Sequence, residues 1–361
     1  MPPRVLVSGY YGFHNAGDEA ILHALTRALR RAVPGVEITV LSADPEHTAR
    51  TDGVAAVPRG GGAAAAAMRR TDLFISGGGG LLQDTTSLKS LAYYLGLIAL
   101  ARALRKKVFF YAQGIGPLRT AAGRALVRLV ADRATLITVR DQDSREELCG
   151  LGIRRPPVIV TADPVLGLVP EPDWTAAGRE ILGGLGLGEG PVAGISVRAW
   201  PGQDGYLETI AGVCDQLAAN GWRVVLLPFH HPADLEMSRR VAELCRAPAA
   251  VVEQRLEFRE LLGVTAHLGL AVGMRLHFLI FAAVCGLAPV GLVYDPKVGR
   301  FLDRLGLPPE ACVTRPEPQA LARAVDLALA NRDAWQNRVR ERVPALAAEA
   351  ERTAELVRDL L

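Results

Sequence analysis

Paired metal-ligand or disulfide spacing is missing from this sequence. Five cysteines (Cys149, Cys214, Cys245, Cys285 and Cys312) are scattered through 361 residues, with no CxxC and no paired His/Cys spacing. Such a set excludes a disulfide frame or a zinc finger and reads as thiols in a reducing compartment. A long apolar run is also missing. The longest, Phe278 to Tyr294, falls short of the roughly 20 residues of a spanning helix. It also holds Gly286, Pro289 and Gly291, so it reads as helix, turn and buried strand. Charge of one sign is not in excess: 41 Lys and Arg stand against 38 acidic residues, a net charge of +3. With no clustered basic surplus, a general nucleic-acid binder is not expected. The chain enters a strand at once (Arg4-Val5-Leu6-Val7), leaving no room for a signal peptide. A soluble, cytoplasmic protein is the expectation.

What is present is an alternation. Short runs rich in Val, Ile and Leu, apolar on both faces, suit parallel strands covered by helices on either side. In the first half these are Val5–Val7, Glu37–Leu41, Leu73–Ser76, Val108–Ala112, Leu136–Val139 and Val158–Thr161. Segments of helical period lie between most of them: Asp18–Arg31, Leu88–Arg105, Ala121–Asp132 and Ser144–Cys149. The second half repeats the pattern with Val192–Val197, Arg223–Leu227, Ala250–Glu253, Leu268–Val272 and Pro289–Val293. At this length two domains are expected. We place them at 1–165 and 173–331, joined by a Pro-rich linker from Asp163 to Pro172. A helical tail, 332–361, has no strand after it and must pack on something, with the first domain the expected partner. Two doubly wound α/β domains bind ligands beyond the carboxyl ends of their strands, and the motifs are weighed on that framework.

Gly273-Met274-Arg275-Leu276-His277 and, twenty positions on, Asp295-Pro296-Lys297 follow two such apolar runs. Two strand ends would aim two permanent cations and one imidazole at a common edge, an anion site. His277, with an ordinary pKa of about 6.5, suits acid–base work at neutral pH; the plainer reading is a capping His and a solvated Lys. Ser8-Gly9 through Gly17-Asp18-Glu19 links the first strand to the first helix. Its glycines allow backbone approach and the helix start offers N–H groups to an anion. The spacing is not GxGxxG, and no acidic ribose partner follows. Asn15, Gly17 and Asp18 either face a ligand or cap the helix. Ser76 followed by Gly77–Gly80, Gln83 and Asp84 suits a loop wrapping a ligand, with Gly78 and Gly79 near it, Gln83 on sugar hydroxyls and Asp84 a base; a hinge is the alternative. Tyr111-Ala112-Gln113-Gly114-Ile115-Gly116-Pro117 is another Gly-rich strand exit, by itself only a turn. Arg140 closes a strand and either binds a carboxylate or phosphate bidentately or pairs with Asp141 or Asp143 in its own turn. Phe229-His230-His231-Pro232 lines a cleft or forms a turn, and two adjacent His without a third ligand make no metal site. The basic end of Leu88–Arg105 (Arg102, Arg105, Lys106, Lys107) either docks on an anionic membrane or complements the helix dipole.

Taken together, Val5–Gly12, Asn15–Ala20, the Gly77–Gly80 loop, Gly273–His277 and Tyr294–Lys297 resemble the polysaccharide pyruvyl transferase family, CsaB-type members most closely, nearly end to end. The resemblance implies a glycosyltransferase-B-like pair of Rossmann domains, with the acceptor on the N-terminal and the donor on the C-terminal side. It implies phosphoenolpyruvate as co-substrate, with no other cofactor expected; the sequence demands no metal, since no carboxylate cluster appears beside the proposed phosphate site. It further implies a 4,6-pyruvyl ketal on N-acetylmannosamine of a lipid-linked disaccharide, a precursor of secondary cell-wall polymer that anchors S-layer-homology domains. In that family an Arg, a His and a Lys hold the donor, which carries over to Arg140, His277 and Lys297; Arg275 would add charge. His277 is expected as acid or phosphate stabiliser, and Asp18 or Asp84 as base toward the acceptor. Two rivals share this framework: a nucleotide-sugar glycosyltransferase and a non-catalytic sugar or anion sensor.

Overall fold

The computed structural model describes residues 2–85, 87–203 and 205–361. The chain divides into two compact units. One runs up to Gly167 and includes Leu346–Leu361; the other is Leu168–Ala345.

Unit 1 comprises β1 (Arg4–Ser8), α1 (Ala16–Ala32), β2 (Glu37–Ser42), α2 (Pro45–Asp52), β3 (Ala55–Pro58), α3 (Gly61–Arg70), β4 (Leu73–Ser76), β5 (Gly79–Leu82), α4 (Leu88–Ala103), β6 (Lys107–Ile115), α5 (Ala121–Ala131), β7 (Leu136–Val139), α6 (Gln142–Gly150) and β8 (Val158–Val160). Its sheet runs β3-β2-β1-β4-β6-β7-β8, with β5 added beside β6, and its pairings are parallel. Strands such as β4 and β7 are buried along their whole length, as expected where helices cover both faces. One apolar layer joins Leu91, Leu95 and Ile98 of α4 to Phe74 and Phe110. The other joins Leu22, Leu25 and Leu29 of α1 to Val5, Val7 and Ile75, and is completed by Ala354 and Val357 from the last residues of the chain.

Unit 2 comprises α7 (Pro172–Gly184), β9 (Val192–Ser196), α8 (Tyr206–Ala219), β10 (Arg223–Leu226), α9 (Ala233–Leu244), β11 (Ala249–Val251), α10 (Phe258–Thr265), β12 (Leu270–Gly273), α11 (Leu276–Val284), β13 (Pro289–Leu292), α12 (Pro296–Arg304), β14 (Cys312–Val313), α13 (Pro318–Ala330) and the long α14 (Arg332–Arg358). Its parallel sheet runs β11-β10-β9-β12-β13-β14. The division between units falls inside α14, next to Pro344.

In each unit the strand order reverses once, between β1 and β4 in unit 1 and between β9 and β12 in unit 2. Side chains leaving the carboxyl ends of these four strands therefore gather at switch points, where doubly wound sheets bind ligands. The Pro-rich stretch expected as a linker is structured at its start: Pro164–Gly167 forms a 3-10 turn with Pro164, Val165 and Leu166 buried. Among the described residues, no helix is long and apolar enough to cross a membrane.

Candidate functional site

In unit 2 four strand exits supply a cationic edge. Arg198 follows β9, His230 follows β10, Arg275 follows β12 and Tyr294 follows β13, with Lys297 in the first turn of α12. Asp234 fixes the geometry of two of them. Its buried carboxylate accepts from the backbone N–H groups of Phe229 (3.2 Å) and His230 (3.0 Å), and takes the Arg275 guanidinium bidentately, Nε at 2.8 Å and Nη2 on the other oxygen. Arg275 is thus locked in orientation, a fork-on-carboxylate pair that sets direction as well as energy. Gly273 lets α11 start close to the sheet, because a Cβ there would come within 2.8 Å of the Phe278 ring. Phe278 in turn packs on Phe229, ring centroids 5.6 Å apart. This close start sets His277 in the first turn of α11.

Tyr294 is the hub. Arg198 donates from Nη1 to the phenol oxygen at 2.9 Å and its guanidinium carbon lies 4.4 Å from the ring centroid. Lys297 Nζ stands 5.4 Å from the same centroid and 3.2 Å from an Asp295 oxygen. Burial would raise the Tyr294 pKa, but Lys297, Arg198 and Arg275 together hold it below the ordinary phenol value. His230 is pushed down, first by burial and then by Arg275. The Tyr294 shift reports an electropositive edge, to which Arg275 adds a smaller part of the His230 shift.

In unit 1 the β1 exit is stitched by Glu19, whose Oε1 accepts from Gly12 N (2.9 Å) and His14 N (3.3 Å). Burial pushes this carboxyl up to about 8 despite those two donors. His14 holds a positive φ of 56° there. Asn15 caps α1 by accepting from Gly17 N at 3.1 Å, which is the capping alternative. Asp18 borders the glycine run: a Cβ at Gly79 would sit 3.0 Å from its Oδ1.

The glycine run, expected to wrap a ligand, is partly strand and partly close packing. Gly79 and Gly80 belong to β5, and a Cβ at Gly77 would overlap the Tyr11 hydroxyl, while one at Gly78 would lie 2.8 Å from Ile21. Close packing explains these two glycines. Asp84, expected as a base, is engaged by three donors. It clamps the start of α5, accepting from Arg119 N (2.7 Å), Thr120 N (2.8 Å) and Thr120 Oγ1 (2.6 Å). Burial alone would raise its pKa, but these donors hold it below the ordinary carboxylate value. Gln83 turns its carbonyl oxygen to Thr85 N at 2.7 Å. Arg140 is buried and paired, as its local alternative had it, though mainly with a different partner: Nη1 meets Asp163 at 3.0 Å, while Nε stands 3.8 Å from Asp141. It belongs to unit 1, whereas Arg275, His277 and Lys297 belong to unit 2.

Arg198, Asp234 and Tyr294 carried no role in the sequence reading. The signal for Arg198 was its place directly after an apolar run, the same cue that marked Arg275. Arg59, over the rings of Tyr93 (4.1 Å) and Phe13 (4.8 Å), was hidden because β3 is too short and Ala-rich to register as a strand.

The profile of a family described as polysaccharide pyruvyl transferase matches residues 15–296. No curated protein matches the chain. Among solved structures it is similar to HepE of Anabaena in complex with UDP-glucose, 14% identical over 99% of this chain and 98% of that one, TM-score 0.66. It is likewise similar to UDP-GlcNAc 2-epimerase of Neisseria meningitidis bound to UDP-GlcNAc, 11% identical over 99% of both chains, TM-score 0.67. A putative UDP-N-acetylglucosamine 2-epimerase of Listeria monocytogenes is 11% identical over 95% of this chain and 91% of that one, TM-score 0.67. These likenesses establish the fold, two Rossmann-like units of the glycosyltransferase-B-like class.

Proposed function

The chain belongs to the polysaccharide pyruvyl transferase family, and from that membership we propose that it moves the enolpyruvyl group of phosphoenolpyruvate onto a sugar, closing a 4,6-linked pyruvyl ketal. The observation that carries this reading is the cationic edge of unit 2, where Arg198, Arg275 and Lys297 surround Tyr294 and His277 starts the adjoining helix. Phosphoenolpyruvate brings a carboxylate and a phosphate, about three negative charges, on a small body. Charge-assisted hydrogen bonds of roughly 1.5–3 kcal/mol each from such an edge suffice for micromolar-range binding.

In this reading a sugar hydroxyl adds to C2 of the enol while C3 is protonated. Phosphate then leaves as the second hydroxyl closes the ketal. His277 serves the departing phosphate, Lys297 and Arg275 hold the donor, and Asp18 is the base toward the acceptor. Asn15, Gly17, Gly78, Gly79 and Gln83 belong to the unit 1 edge proposed for the acceptor, with Asp84 shaping it through α5. Arg140 fixes the β7 exit through Asp163, and its carried-over contact with the donor is part of the proposal. The acceptor is N-acetylmannosamine of a lipid-linked disaccharide, on the path to secondary cell-wall polymer and S-layer anchoring. Such an acceptor places the enzyme in the cytoplasm at the inner membrane face, with peripheral membrane contact, no nucleic acid partner, and no cofactor or metal beyond the co-substrate.

The test is incubation with phosphoenolpyruvate and a lipid-like acceptor disaccharide, read by mass spectrometry for pyruvate addition and by phosphate release. Stabilisation in a thermal melt by phosphoenolpyruvate but not by UDP is expected. The reverse pattern would move the assignment to nucleotide-sugar chemistry, and phosphate release without need of acceptor would remove the ketal step.

A further inference from the structure

A proton must reach C3 of the enol, and with His277 serving the departing phosphate in the reading above, that step has no donor of its own. Tyr294 stands at the exit of β13, next but one to the switch-point strand β9 across β12. Its oxygen accepts from Arg198 at 2.9 Å, so its own proton is directed elsewhere. The Arg198 guanidinium carbon and Lys297 Nζ stand 4.4 Å and 5.4 Å from its ring centroid. Resting on the pyruvyl transfer proposed above, we infer that Tyr294 is a catalytic residue, the acid that protonates C3 and the base that then accepts the proton of the second sugar hydroxyl.

The steps balance. The first hydroxyl oxygen bonds to C2 and gives its proton to water. The enol π electrons take the Tyr294 proton at C3, forming the methyl group and leaving a phenolate. The second hydroxyl oxygen then bonds to C2 as the C2–O bond to phosphate breaks. Its proton returns to the phenolate, and the proton released from the first hydroxyl leaves with phosphate. No oxidant or metal enters, and Tyr294 ends as it began.

A phenolate is a poor intermediate in an ordinary buried site, since desolvation opposes charge. Here the groups facing it are Arg198 from the β9 exit, Arg275 from the β12 exit, and Lys297 with Asp295 from α12. Arg275 is itself paired with Asp234, and Lys297 with Asp295, while Arg198 donates directly to the phenol oxygen. Their sum outweighs burial and lowers the phenol pKa, the direction an acid working near neutrality requires. A phenol kept only for packing would gain nothing from this arrangement.

The experiment compares wild type, Tyr294→Phe and Arg198→Lys. Tyr294→Phe keeps the ring and its cation contacts, and is expected to retain stabilisation by phosphoenolpyruvate while losing about 10²–10⁴-fold in kcat. In D2O the wild type should place one deuterium in the product methyl group, and the residual product of Tyr294→Phe should form without the basic limb of the pH–rate profile. Arg198→Lys, which weakens support of the phenolate, should move that limb to higher pH. Turnover of Tyr294→Phe within about threefold of wild type, or an unchanged limb in both variants, overturns the assignment. A wild type that neither binds phosphoenolpyruvate nor transfers pyruvate overturns the function itself, so the two failures are distinct.

Discussion

At Arg140 the guanidinium is enclosed by Asp163 and Asp141, and removing one member of a buried pair costs more than the pair contributes. Arg140→Met is expected to lower the unfolding free energy by about 3–5 kcal/mol, measured by urea titration, because Asp163 loses its partner. The double variant Arg140→Met/Asp163→Asn should recover most of this. If the double variant is stable yet no longer stabilised by phosphoenolpyruvate, Arg140 also touches the donor; if binding returns with stability, it does not. Glu19 gives a second case. Its carboxyl has a folded pKa of about 8 against an ordinary 4.5, so between those values the folded state holds a proton that the unfolded state has released. Stability linked to this group is therefore present at low pH and falls as pH rises from 4.5 to 8. Glu19→Gln keeps an oxygen for Gly12 and His14 N–H without the ionisation. The variant should gain on the order of 3 kcal/mol relative to wild type at pH 9 and little at pH 5, by urea denaturation at both values. An equal effect at the two pH values would place the stability of this turn elsewhere.

At the scale of elements, Gly77 shows what the glycine run does. The β4 exit folds back under Tyr11, whose hydroxyl occupies the place of a Cβ. Gly77→Ala should therefore destabilise by about 1–3 kcal/mol through overpacking, and Tyr11→Phe/Gly77→Ala should recover part of it, since the hydroxyl is the nearest obstacle. A thermal melt with no recovery in the pair would assign the cost to backbone strain at residue 77. Elements of this kind also mark how far the sequence could be read. Leu73–Ser76 and Leu136–Val139 match β4 and β7 end to end, because strands buried on both faces carry unbroken apolar runs. Ala55–Pro58, Gly79–Leu82 and Cys312–Val313 escaped it: small residues, glycines and a two-residue ladder leave no periodic signal. Arg275 and Lys297 stood out in the sequence because they follow strong strands. Asp234, which orients Arg275 from 41 residues away, could not be, because that pairing exists only once β10 and β12 share a sheet.

For the molecule as a whole, the last residues belong to the first unit. Leu346, Ala350, Ala354 and Val357 are buried, Glu351 pairs with Arg31, and Lys107 donates to the Leu360 carbonyl. The start of the same helix serves the other unit, where Trp335 and Val339 are buried. Shortening the chain after Ala345 should thus act on one unit and spare the other. Full burial of a Leu or Val side chain stabilises by about 1.5–3 kcal/mol, so losing Leu346 and Val357 together removes several kcal/mol, a large share of the about 5–15 kcal/mol that holds a domain. Hydrogen exchange read by mass spectrometry should show protection falling in β1, β2 and β4 of the shortened protein, with β9, β10 and β12 unchanged. Val357→Ala, a milder change, should give the same pattern at a cost of about 1–3 kcal/mol. Equal loss of protection in both units would mean that they unfold as one cooperative body, and the division inside α14 would then have no energetic counterpart.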